Sequence, residues 1–440
     1  MSRPLGLSVL LVLLAAQDAL AAAGGGSSGF SGGGGGGGGS SFSSGGSSSS
    51  SGTGGGGGLI FFGLFALIVI IVVVVGWWQA RKLRKKRAAR DAQVRLASVE
   101  AAEDDAYFHH EYVEKEAADL FLAIQAAWSQ NDVDTLKRMV GADLMVEWER
   151  RLRDFERKGW HNICQVHNRP TVEYVGLVNR EDDTEDRVTV RLTASMEDYV
   201  QDANGTKIMH EGSTTTSRTL VEYWTLARVD AHWMLVSIEQ DSEGAHHLDA
   251  EIVASPWSDS RLQDDALVEL ASAEAVVGDD VKAGELVDVD YAEDAHAAAL
   301  DLSLVDPRFG PDVLEAAARR AIAGWAEAVD GADTALEAVA TPEAIRALLY
   351  TDEGAKHRIV VRGPKLKTLK ITALEGKTTP PTMDVAAQVR GRRYVEDRDT
   401  AAVVSGSKDS ESTFTVGLRM ALDGEGPAAW KVVAAGAPVG

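Results

Sequence analysis

Cys164 stands between His161 and His167. A thiol beside an imidazole is the pair from which cysteine nucleophiles are built, but it works only when the fold also supplies a third, orienting group. Spacing alone supplies none here. His109, His110, Glu111 and Glu114 form a second cluster. His110 and Glu114 are one helical turn apart, yet the pattern is not H-E-x-x-H and no third zinc ligand follows from it. His246 and His247, with Asp249 after Leu248, could catch a metal without closing a site. No glycine loop ending in Lys-Ser/Thr cradles a phosphate, because the long glycine tract precedes an apolar run instead. The sequence therefore predicts no catalytic residue, no metal ligand set and no cofactor.

The elements that would position these side chains follow from length and charge. A chain of 440 residues exceeds what one core usually organises, so two folded domains plus extensions are expected. Net charge is −22, and only two of the 66 acidic residues precede residue 96, so the remainder is more acidic than the whole. A surface of that sign does not coat nucleic acid, which is not expected as a partner. The single cysteine excludes a disulfide framework.

Residues 1–23 read as a secretory signal: Arg3, a short apolar stretch, then small residues around 19–23. Residues 24–58 hold 20 Gly and 12 Ser in 35 positions, with Phe30 and Phe42 the only aromatics. Such a segment buries too little to offset its ordering entropy and reads as a disordered linker. Residues 59–78, LIFFGLFALIVIIVVVVGWW, form an uncharged run of 20. At about 1.5 Å per residue it matches a hydrocarbon core of about 30 Å, with Trp77 and Trp78 at the interface. The next stretch, 79–104, reads as a basic juxtamembrane helix. Its Arg81, Lys82, Arg84, Lys85, Lys86, Arg87 and Arg90 are candidates to face the bilayer and its headgroups. The linker before the run has no charge, so the positive-inside rule places everything after it in the cytosol of a single-pass, inner-membrane protein. On that side Asn204-Gly205-Thr206 is no glycosylation site, and Asn204-Gly205 reads as a type I′ hairpin turn.

Two blocks follow. In the first, Val113, Ala117, Leu120, Ile124 and Trp128 share one helical face, and Leu144, Trp148, Leu152 and Phe155 another that stops near Gly159. The period then changes to two over 171–178, 187–200, 215–228 and 232–240, which predicts antiparallel strands. The block 306–436 replays that order at an offset near 197, with Trp325 matching Trp128 and strands at 366–373, 383–389, 414–422 and 430–434. Helices before strands is an α+β order. The acidic linker between, 242–305, carries one helical stretch around 262–277.

The ending Glu222-Tyr223-Trp224-Thr225-Leu226-Ala227-Arg228, a turn, then Trp233-Met234-Leu235-Val236-Ser237-Ile238-Glu239-Gln240 resembles the E-x-W-T-[FL]-x-R…W-x-L-x-x-I-[EQ]-Q close of the bacterial Tim44-like domain proteins. Those proteins are relatives of the subunit that tethers a chaperone to the mitochondrial inner-membrane translocase. Ile124 to Trp128, Asp132 and Leu136 resemble the family's helical element, over about 105–241 in all. The resemblance implies tandem nuclear-transport-factor-two-like (cystatin-like) folds, curved antiparallel sheets on N-terminal helices around an apolar pocket, and a scaffold rather than an enzyme. The second copy, 306–436, departs from it, with Phe414 to Arg419 where the first has Glu222 to Arg228.

Trp128, Trp224, Leu226 and Trp233 are then either core or pocket lining. The plain reading packs the hairpin on the first helix through Trp128, and the alternative opens a pocket for a lipid or small hydrophobic ligand. Arg358, Arg362, Lys365, Lys367 and Lys370 form a basic patch against the acidic average. It reads either as an edge strand guarded by lysines or as a dock for an acidic partner. The expected function is a membrane-tethered, non-catalytic adaptor for an unidentified cytosolic or membrane protein, in translocation or membrane-protein biogenesis. A ligand-binding module is the alternative, and an envelope location of the domains the third reading.

Overall fold

The computed structural model describes residues 22–23, 57–210, 213–229, 232–258, 289–331, 333–423 and 429–435. The expected signal segment before residue 22, the linker residues 24–56 and the helix expected at 262–277 lie outside the described residues. One helix, α1 (Gly57–Asp104), carries the apolar run and the basic stretch as a single rod of 48 residues. From residue 79 to 104 it has neither Gly nor Pro and is rich in Ala, Leu, Arg, Lys and Glu, so nothing interrupts the backbone ladder. Along the run, Leu67, Ile70, Ile71, Val73, Val74, Trp77 and Trp78 are each more than half exposed. Among the described residues no helix is long and apolar enough to cross a membrane.

The first half is α2 (His110–Ser129), α3 (Val133–Met139) and α4 (Ala142–Lys158), followed by β1 (Trp160–Val166), β2 (Thr171–Val178), β3 (Arg187–Asp202), β4 (Lys207–Ile208), β5 (Ser217–Val229) and β6 (His232–Gln240). Strand β3 organises the sheet. It pairs with β2 and then β1 along one edge, and with β5 and then β4 along the other, all antiparallel. Val188, Val190, Leu192, Ala194 and Met196 alternate inward as their spacing predicts, and all five are buried. The β3–β4 connection bends at Asn204-Gly205, but only Gly205 has positive φ, +82°. It is therefore a longer turn, whose Asn204 and Thr206 N–H groups donate to the Asp202 carboxylate, and not type I′. Strand β1 escapes the sequence pattern because its polar inward residue, Asn162, breaks the alternation of apolar side chains.

The second half is β7 (Val289–Tyr291), α5 (Glu293–Ser303), α6 (Pro311–Asp330), α7 (Thr334–Glu337), α8 (Pro342–Leu349), β8 (His357–Glu375), β9 (Thr382–Asp397), β10 (Val403–Gly406), β11 (Ser412–Leu422) and β12 (Trp430–Ala435). Its sheet runs β12-β11-β9-β8-β7, with β10 on β9. Strand β7 lies parallel along Leu369–Ile371, so β8 is not the bare edge that its lysines suggest.

The same closure recurs in both halves. Asp105 accepts from the Tyr107 N–H and Asp306 from the Arg308 N–H, capping a short turn before the long helix. Each turn presents a Phe edge-on to a Trp of the last strand: Phe108 to Trp233 at 5.4 Å, and Phe309 to Trp430 at 5.7 Å. Each indole N–H then donates to the turn's backbone, Trp233 to the Tyr107 carbonyl at 3.2 Å and Trp430 to the Arg308 carbonyl at 3.0 Å. Behind it the start of α4, and of α8 in the second half, is tied to the same strand, Gly141 N–H to the Leu235 carbonyl and Thr341 N–H to the Val432 carbonyl. The helical elements therefore align near an offset of 201, not 197, which places Trp325 opposite Ile124, one turn before Trp128. Across the closing hairpins, Trp233 faces Arg228 and Trp430 faces Leu422, so Leu422, not Arg419, stands where the first half has Arg228.

Since Phe108 is fully buried against this indole, Phe108→Ala should cost about 3–5 kcal/mol through lost transfer energy and a cavity. Urea unfolding followed by tryptophan fluorescence would measure it.

Candidate functional site

The residues of the closing motif turn inward. Trp224 is fully buried, rests on Phe121 of α2 at 5.2 Å and donates its indole N–H to Glu222 at 2.8 Å. Positions two apart share a strand face, so E-x-W is a side-chain hydrogen bond written into one strand. Arg228 pairs with Asp105 and lies over the Tyr107 ring. Leu226 and Trp233 are core, and Trp128 packs on Trp148 at 5.2 Å and donates to Asn162. The hairpin thus meets the first helix through Phe121, not Trp128, and Trp224 and Trp233 lie at different ends of the ribbon. All four positions offered as core or pocket are core.

A cavity of about 700 Å³ lies instead between the two halves. Its walls are charged, and their pairs bridge the halves. Arg398, just after β9, grips Glu147 of α4 through Nε at 2.8 and 3.1 Å. Arg151 of α4 and Lys408 both reach Glu396 of β9, at 2.9 and 3.0 Å. The Tyr394 hydroxyl donates to Glu243 at 2.7 Å, and outside this cavity Arg150 meets Asp399 at 2.8 Å. Burial works against the Glu396 charge, but Lys408 and Arg151 outweigh it and hold that carboxyl below its ordinary range. Burial raises the Tyr394 hydroxyl well above its usual value, with Glu243 adding to the effect. Because a partly buried charge left without its partner is costly, Glu147→Arg alone should destabilise the chain by about 2–4 kcal/mol. Adding Arg398→Glu should recover a substantial part of that, a double-mutant cycle read by chemical denaturation.

Glu222 lines the same cavity, and burial, partly offset by the Trp224 N–H, pushes its carboxyl up to about 7. A folded-state value above the unfolded one means that protonation favours folding. This contribution is complete below about pH 4.5 and is lost as pH rises through about 7. Relative to Glu222→Gln, the natural chain should lose about 3 kcal/mol of stability between pH 4.5 and 8. Paired urea titrations across that interval would show it.

The connector after β6 completes the site. Gly244 lets it settle on the buried Tyr223 ring, which an added Cβ would meet at 2.3 Å, and Leu248 packs there with Val175 and Leu83 of α1. Gly363, with φ +57°, likewise admits His246, whose Cβ would stand 2.6 Å from an added methyl. His247 Nε2 lies 2.8 Å from Glu239, and His246 Nε2 lies 3.7 Å from Asp330 of α6. Burial opposes the Glu239 charge, yet His247 and His246 hold that carboxyl below the usual range. Burial would lower His247, but Glu239 overcomes it and raises it. Sequence reading grouped these histidines with Asp249. The fold gives Asp249 to Lys86 at 2.6 Å and brings in Glu239, whose approach depends on strand β6 and is invisible in local spacing.

The remaining candidates divide. Of the headgroup cations, Arg81, Lys82, Arg84 and Lys85 are exposed. Lys86 is paired with Asp249, Arg87 with Asp241 at 2.8 Å, and Arg90 is buried, donating to the Val175 carbonyl at 2.7 Å, so these three serve the fold. Arg87 and Arg90 face inward because α1 lies along β2. In the basic patch, Arg358 pairs with Asp333 at 2.6 Å and Arg362 with Asp330, whereas Lys365, Lys367 and Lys370 are exposed. Cys164 is buried with Asn162 and Asp198 at its sulfur, 3.2 and 3.8 Å away, while His161 and His167 point outward. Burial, reinforced by Asp198, raises the thiol well above its ordinary range, which keeps it protonated and poorly nucleophilic. Glu114 pairs with Arg95 at 2.5 Å beside His110 and belongs to no ligand group among the described residues.

No curated protein matches this chain. Among solved structures, the intermembrane-space region of the chloroplast protein ARC6 is similar at 14% identity, over 29% of this chain and 95% of that one, with a TM-score of 0.24. An Ntf2-like protein involved in plasmid conjugation is similar at 8% identity, over 71% and 90%, with a TM-score of 0.16. The family model of the Tim44-like domain matches residues 94–240. That interval opens where α1 turns Val94 into the main core and closes on Gln240, the last residue of β6. Residues 94–240, a third of the chain, are therefore similar to the Tim44-like domain.

Proposed function

We propose that this chain is a membrane-tethered, non-catalytic scaffold whose cytosolic modules, the second a degenerate copy of the first, bind protein partners during translocation or membrane-protein biogenesis. The observation that carries the reading is the continuity of α1. A single helix carries the apolar run, exposed at Leu67, Ile70, Ile71, Val73 and Val74, and enters the core through Val94 and Ala101, which suits a domain built onto an anchor. The charge step from a neutral linker to the cations after residue 80 supports a cytosolic side. Lys365, Lys367 and Lys370, exposed on an otherwise acidic chain, suit an acidic partner. The pocket reading is less favoured, since Trp128, Trp224, Leu226 and Trp233 are packed in the core.

Trypsin added to spheroplasts should leave residues 80–440 intact until the membrane is permeabilised, and digestion beforehand would refute the orientation. Photocrosslinkers at 365, 367 and 370 should capture one recurring protein, and Lys365→Glu with Lys367→Glu should reduce its recovery about tenfold or more. Unchanged recovery would remove the patch from the interface.

A further inference from the structure

We propose that Glu239, His246 and His247 form a binding site for a zinc-class divalent cation, with Asp330 completing it from the second half. One ligand atom from each of the first three residues lies within 4.8 Å of the others. In particular, His247 Nε2 stands 2.8 Å from Glu239 Oε1, and His246 Nε2 stands 3.7 Å from Asp330 Oδ2. Donors around a tetrahedral zinc with bonds of about 2.0–2.1 Å stand about 3.3 Å apart, so these separations bracket what the ion needs. Two imidazoles and carboxylates form the nitrogen–oxygen set that zinc accepts and that calcium and magnesium, which prefer all-oxygen cages, do not.

Three further features mark a built site. Glu239 is 3% exposed and its Oε2 has no hydrogen-bond partner, a buried acceptor aimed at the histidines. His246 Nδ1 lies 3.0 Å from the Glu243 carbonyl, the contact by which a ligating imidazole commonly fixes its tautomer, and this leaves Nε2 turned to Asp330 Oδ2 at 3.7 Å. Gly244 and Gly363 each remove a methyl group that would keep the connector from seating. The donors come from β6, from the connector and from the end of α6, so a bound ion would clip the Tim44-like domain, its exit segment and the second half together.

The test is a calorimetric titration of Zn²⁺ into the metal-stripped full chain in detergent, with Mg²⁺ and Ca²⁺ as controls. One equivalent should bind with a micromolar or tighter dissociation constant. His246→Ala with His247→Ala should weaken binding at least 100-fold, and Asp330→Asn about tenfold. Should the histidine variant not fold, Co²⁺ added to the natural chain decides. A saturable visible spectrum of tetrahedral type at one equivalent supports the site, and the weak octahedral spectrum overturns it. Absence of Zn²⁺ binding by the natural chain, equal binding by a folded histidine variant, or equal uptake of Mg²⁺ would each overturn it as well.

Discussion

Opposed charge with little water around it is the constraint on which the arrangement of the two halves depends. Glu147, Arg151, Glu243, Glu396, Arg398 and Lys408 lie at a shared boundary where each would be costly alone, and each finds its counterpart on the other side or beside it. Ion pairs of this kind add less to stability than burial of apolar surface of the same extent, but they tolerate few alternative registers. Among the described residues the two large apolar cores, one per half, do not meet across the boundary. Relative placement is thus written in carboxylates and guanidinium groups, and each half's own fold in aromatic and aliphatic side chains.

Within each half one closure is repeated: an acidic cap, a Phe on a Trp, and an indole N–H on the capped turn. The two copies share little sequence, yet the parts that persist are those that bring the two ends of the unit together. What differs is what the first half adds. Glu222 under Trp224 and Arg228 on Asp105 are absent from the second, where Val416, Leu418 and Leu422 stand at the strand positions of Glu222, Trp224 and Arg228. The first half therefore keeps a buried carboxyl on this strand face and the second has the side chain of Val416 in its place.

Much of this was legible in the sequence. Period-two alternation gave β2 and β6 to the residue and β3 and β5 to within two, because one face of each is mostly apolar. The long helices followed from Val113 to Trp128 and from Val313 to Trp325. Strand β1 escaped because Asn162 is satisfied by Trp128 and Asp198, partners 34 and 36 residues away. The inward turn of Arg87 and Arg90 escaped for a related reason: a run of cations reads the same whether its helix stands clear of the protein or lies along a strand. The Glu239–histidine cluster escaped because three residues meet through a sheet and a docked connector, not through spacing on one element.

The helix α1 has a geometric consequence of its own. Leu83 already touches the folded body five residues after Trp78, about 7–8 Å along the axis, with no joint between them. The body therefore sits at a fixed height along the helix from the apolar run and takes its azimuth from it. Each residue inserted between 78 and 83 would swing every outward face through about 100°. The helix then works as a keyed shaft, fixing which flank of the folded body follows each face of the apolar run.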